Sequence, residues 1–134
     1  MLVGVRHSEV ENVWDMVKDR IEYTLFHYGN DVTTANDLHN LIMNRDAQLW
    51  TTTNLDAVMV TQILIKPDIK ECLIWVFNAD TLTDKHWLMF DDITEWARQN
   101  GCDLLRAITR PGFEKILAKR NWKKRHVVMT RRLD

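Results

Sequence analysis

Chemistry in a folded chain needs polar groups brought together, and the first candidates here are five histidines and two cysteines. His7, His27, His39, His86 and His126 are scattered, with no His-x-x-x-His pair, and Cys72 and Cys102 form no Cys-x-x-Cys. A metal centre takes three or four such ligands at close spacing, so none is expected. No Gly-x-Ser-x-Gly elbow and no Walker loop occurs, which argues against serine-hydrolase and P-loop chemistry. Cys72 lies in an apolar run and Cys102 follows Gly101; reduced thiols in a cytoplasmic compartment fit better than a disulfide framework.

Charge is the second source of chemistry. Residues 1–97 hold 7 Lys+Arg against 16 Asp+Glu, and residues 98–134 hold 11 against 3. A basic C-terminal quarter attracts phosphate, whether of a nucleotide cofactor or of a nucleic acid. Arg120, Trp122, Lys123, Lys124 and Arg125 could stack on and neutralise a strand of nucleic acid. A solvated edge strand guarded by lysines explains the same residues, and nucleic acid ranks last among the expected partners.

These residues must be positioned by ordinary elements. At 134 residues, with 46% apolar and 28% charged residues, the chain fits one soluble domain, 1–134. Six tryptophans promise a core rich in large rings. No run approaches the ~20 apolar residues of a membrane span, and no secretory leader is recognisable.

Residues 2–6 read as a strand, and Ser8 with Glu11 has the spacing of a capping box. Val10, Val13, Trp14, Val17, Ile21, Leu25 and Tyr28 recur every three or four residues, predicting a long amphipathic helix stopped by Gly29-Asn30. Thr33 or Thr34 caps a shorter helix that ends near Asn44. The runs 48–53, 57–65 and 72–77 are rich in β-branched and aromatic residues and predict three antiparallel strands. The third is apolar on both faces, as befits the centre of a covered sheet. Trp87, Phe90, Ile93, Trp96 and Ala97 predict a helix capped by Thr83 and closed by Asn100-Gly101. A strand over 103–108, a helix after Pro111 carrying Phe113, Ile116 and Leu117, and a last strand over 126–130 complete the order.

That order resembles the GNAT acyltransferases over nearly the whole chain. Within the C-terminal stretch, Trp96, Ala97, Gly101 and Cys102 match a W-A-x-x-x-G-C element, and Arg110, Gly112 and Phe113 match a G-R-x-G-[WF] element. Thr109 and Asn121 stand where glycine is usual. In this region the chain is similar to small GNAT-like proteins of tailed bacteriophages and prophages.

The resemblance implies an α/β (α+β) fold: a mixed, mostly antiparallel sheet of six to seven strands flanked by four helices. It implies acetyl-CoA as the acyl donor, an amine acceptor and no metal. The donor's pyrophosphate would lie on the loop after the fourth strand, putting Phe77, Asn78, Ala79, Lys85 and His86 at the cofactor. Residues 78–87 read NADTLTDKHW, without the family's glycines and with Asp80 and Asp84 opposing a phosphate, while Lys85 and His86 supply cationic contacts at the helix start. Glu71 occupies the position of a general base, and Leu117 stands where the family keeps a tyrosine proton donor. The alternative implied is a non-catalytic GNAT-like protein of a virion, or one that binds a phage or host protein.

Overall fold

The computed structural model describes residues 2–28, 32–79, 84–109, 112–125, 127 and 129–133. Strand β1 (Leu2–Gly4) leads through a 3-10 turn (His7–Glu9) into α1 (Val10–Tyr28), then α2 (Ala35–Met43). Strands β2 (Gln48–Thr52), β3 (Ala57–Ile65) and β4 (Lys70–Ala79) precede α3 (Asp84–Gln99), β5 (Leu104–Ala107) and α4 (Phe113–Ala118). The strands lie in the order β1-β2-β3-β4-β5, with the first four antiparallel and β5 parallel to β4.

Two-residue periodicity splits the core into two layers. Val58 and Val60 of β3 face Val17, Ile21 and Leu25 of α1 and Leu38 of α2. Ala57 and Met59 of the same strand face Met89, Phe90 and Ile93 of α3 and Phe113 and Leu117 of α4. The sheet is therefore covered on both sides, which is why β4 can be apolar on both faces.

Local signals behave unevenly. The capping box forms at Thr34, whose hydroxyl accepts from Asp37 N while Asp37 accepts from Thr34 N. The Ser8–Glu11 box does not form; the 3-10 turn opens the first helix, and Glu11 bonds His39 instead. Gly101, with φ 76°, closes α3, a left-handed position that favours glycine. Asn121 takes φ 70°, so the residue that replaces the expected glycine still supplies the left-handed backbone. Gly29-Asn30, Thr83 and Pro111 lie outside the described residues.

The strand count is a correction: the described residues carry five strands, not six to seven. Residues 127, 129 and 130 are not in a strand, and Val127 and Met129 are exposed; His126 and Val128 lie outside the described residues. An alternating apolar pattern becomes a strand only where a neighbour and a core face receive it, and these exposed side chains meet no such face. Upstream, Arg120 packs its guanidinium 4.4 Å from the centroid of Trp87, Trp122 joins the α3–α4 layer, and Lys124 lies 3.4 Å from Glu114. Three of the five residues that suggested nucleic-acid binding are thus engaged within the domain.

Candidate active site

The site begins with one extra residue in β4. Thr61 opposes Ile74, but its neighbour Val60 opposes Val76, leaving Trp75 as a β-bulge. A bulge shifts the alternation by one and bends its strand. Accordingly, Ile74 packs on the α3 side and Val76 on the α1 side, although two residues of a regular strand at that spacing would share a face. The ladder to β5 stops at the same place: Ile74 pairs with Ala107, and Ile108 N donates to Ile74 O at 3.1 Å. Strand β4 continues to Ala79 with no strand on its β5 side among the described residues.

The divergence opens a cavity of about 300 Å³. Its floor and one wall are Ile74, Trp75, Phe77, Asn78 and Ala79 of β4. The far wall is Ala107, Ile108, Thr109 and Phe113, and α1 contributes Tyr23, Thr24 and Tyr28. Rings do not plug it: the Trp75 indole donates to Gln62 Oε1 at 3.0 Å, Phe77 meets Phe90 edge-on at 4.9 Å, and Trp87 stacks on Phe113 at 5.9 Å within the core.

Side-chain hydrogen bonds fix α1 against this wall. Asn78 Nδ2 donates to Thr24 Oγ1 at 3.0 Å, Arg20 donates to Asn78 Oδ1 at 3.3 Å, and Thr24 Oγ1 donates to Arg20 O at 2.9 Å. Asn78 therefore acts as a clamp between strand and helix, a role that its type and position alone did not reveal.

Of the residues expected at the cofactor, Phe77, Asn78 and Ala79 line the cleft. His86 is buried, with Nε2 3.7 Å from Asp56 Oδ2 in the β2–β3 turn, and is not among the lining residues. The side chain of Lys85 and residues 80–83 lie outside the description. Glu71 sits toward the closed end of the sheet, three residues before Ile74, with its carboxylate 3% exposed between Lys66 Nζ at 3.1 Å and Arg106 NH2. It too is absent from the lining residues.

Residue spacing alone does not mark the hydroxyls at this cleft. Tyr28 falls in the apolar stripe of the first helix, and Tyr23 lies outside that stripe. An aromatic residue displaced from a helix's buried face was the available signal. Leu117 is buried in the α3–α4 layer, so the hydroxyls at the cleft come from α1 and from Thr109. Cys72 offers no nucleophile: burial, then the neighbouring Cys102, pushes its thiol up to about 12, leaving it protonated at neutral pH. No cluster of metal-binding side chains occurs among the described residues, and no helix among them is long and apolar enough to cross a membrane.

No protein-family model and no curated protein sequence matches the chain. Solved structures do. A predicted acetyltransferase with acetyl-CoA from Clostridium acetobutylicum superposes with TM-score 0.71 at 9% identity, over 98% of this chain and 95% of that one. An aminoglycoside acetyltransferase from an uncultured soil metagenomic sample, in complex with sisomicin, gives 0.69 at 10% identity, over 100% and 96%. The ribosomal-protein-alanine N-acetyltransferase of Brucella melitensis gives 0.59 at 11%, over 96% and 99%. With that coverage of both partners, this chain shares its overall fold with acetyltransferases of the GNAT family.

Proposed function

We propose that this domain is an acetyl-CoA-dependent N-acetyltransferase working in the β4–β5 cleft. The observation that carries the reading is the open edge of β4 beyond the Trp75 bulge. Among the described residues, backbone N–H and C=O groups on that edge have no neighbouring strand and need partners. The apolar faces of Trp75 and Phe77 beside them fit a thin, amide-bearing arm like that of acetyl-CoA. Phe77, Asn78 and Ala79 would hold the donor, which supplies an activated acyl group as a thioester.

In the net transfer a bond forms between the acceptor nitrogen and the acyl carbon as the C–S bond breaks. The amine gives up a proton and the departing sulfur receives one. Tyr28 is the hydroxyl we assign as proton donor, in place of the one absent at Leu117. The Arg20–Asn78–Thr24 network keeps α1, and with it Tyr28, at a fixed distance from β4. Glu71, the base expected from the resemblance, would have to act from the closed end of the sheet through water.

One observation favours a second reading. No carboxylate or imidazole stands among the described residues lining the cleft, which suits a domain that retains the fold while binding a phage or host protein. A phage origin and a cytoplasmic location are finer parts of the same proposal. Calorimetry with acetyl-CoA decides between them: micromolar binding together with thiol release in the presence of an amine supports the enzyme, and a flat titration of folded protein refutes it.

A further inference from the structure

A second cavity, of about 240 Å³, lies at the other edge of the sheet, where β1 ends beside β2, and shares no lining residue with the β4–β5 cleft. Trp50 of β2 and Trp96 of α3 meet edge-on at 5.0 Å between ring centroids and form its apolar wall. Gly4 makes room for that wall, since a Cβ there would come within 3.1 Å of the Trp50 ring. Polar bonds hold the ring as well. Trp50 Nε1 donates to Thr61 Oγ1, and Thr61 Oγ1 donates to Gln48 Oε1, each at 2.9 Å. This chain uses the oxygen of the Gln48 carboxamide and leaves its NH2 group as a donor beside the cavity that Gln48 lines.

Arg45 supplies a cation at the rim. Asp46 N donates to Leu41 O at 2.8 Å and Arg45 N to Ile42 O at 3.0 Å, the paired closure of a helix end that turns on a left-handed residue. That residue is Arg45, with φ 64°. Glycine takes this conformation without strain, and arginine does not. The strain secures no bond inside the domain: Arg45 is exposed, and no hydrogen bond, ion pair or ring contact engages its side chain among the described residues. Asp46, the next residue, is exposed and does not line the cavity. Two rings at an angle, a guanidinium and an amide donor suit a flat apolar body that carries a carboxylate. The volume falls below the ~300 Å³ at which drug-sized sites begin, so the body has one or two rings.

We propose that this cavity binds a small aromatic carboxylate, its ring against Trp50 and Trp96 and its carboxylate on the Arg45 guanidinium and the Gln48 amide. The assignment does not depend on the acetyltransferase reading. The test is titration of the full chain with indole-3-acetate, indole-3-acetamide and cyclohexylacetate, following the indole N–H signals by NMR with calorimetry in parallel. Indole-3-acetate is expected to shift the signals of Trp50 and Trp96 and to leave that of Trp75, in the cleft, in place. It should bind about tenfold more tightly than either the amide or the aliphatic acid. Arg45→Gly should abolish the preference for acid over amide while the urea midpoint holds or rises, because glycine relieves the left-handed backbone. Arg45→Gln, which keeps a side chain at that position, should abolish the preference equally. Silent Trp50 and Trp96 signals, a shift of Trp75 instead, equal affinity for acid and amide, or a preference that survives in both variants overturns the proposal.

Discussion

Replacing Glu71 with glutamine keeps the shape of a buried side chain and removes the negative charge that Lys66 and Arg106 share. Breaking a fully buried pair from one side costs ~3–5 kcal/mol, because the remaining charge is left without a partner. Here the two cations are 48% and 37% exposed, so water relieves part of that penalty and about 2–3 kcal/mol is expected. With a urea slope of ~1.5 kcal/mol per molar, the midpoint should fall by roughly 1.3–2 M. The assay is urea unfolding followed by tryptophan fluorescence, paired with a cycle that includes Arg106→Met to isolate the coupling. Acetylation by the folded variant should change less than threefold. A variant as stable as the parent to within ~0.5 kcal/mol, whose kcat is lower by a hundredfold with the acidic limb of its pH profile displaced or lost, would refute the structural reading and establish Glu71 as the base.

Three further outcomes are expected. Tyr28→Phe should lower kcat at least tenfold with little change in acetyl-CoA affinity by calorimetry, since the ring stays and only the proton donor goes. Cys72, its thiol lifted from 9.0 to about 12, should carry ~10³-fold less thiolate than an ordinary cysteine at the same pH. Iodoacetamide labelling of the folded protein, read by mass spectrometry, should therefore leave it unmodified, and equally fast labelling of Cys72 and Cys102 would contradict this. Thr34→Ala removes one arm of the capping box on α2 and should cost about 1 kcal/mol in thermal or urea unfolding.

The sequence by itself determined what depends on near neighbours. The stripe from Val10 to Leu25, the cap at Thr34, the limits of β3 and the stop at Gly101 are set by periods of 3.6 or 2 and by capping chemistry, all contained within a few residues. Element order then indicated the fold, though with more strands than the five described, and the resemblance put Phe77, Asn78 and Ala79 at a cofactor, where the structure has them lining a cleft. Tertiary structure decided the rest, since the deciding partner lies far along the chain. Trp75 is a bulge only because β3 offers one residue fewer opposite it. Glu71 is a held charge only because Lys66 and Arg106 meet it. Residues 126–130 alternate like a strand, yet those described are exposed and unpaired, because alternation states which residues would share a face and not whether a sheet edge is there to receive them. Tyr23 and Tyr28 became cleft residues by the same logic: helix periodicity places them on α1, and only the clamp through Thr24 and Asn78 sets α1 against the open edge of β4.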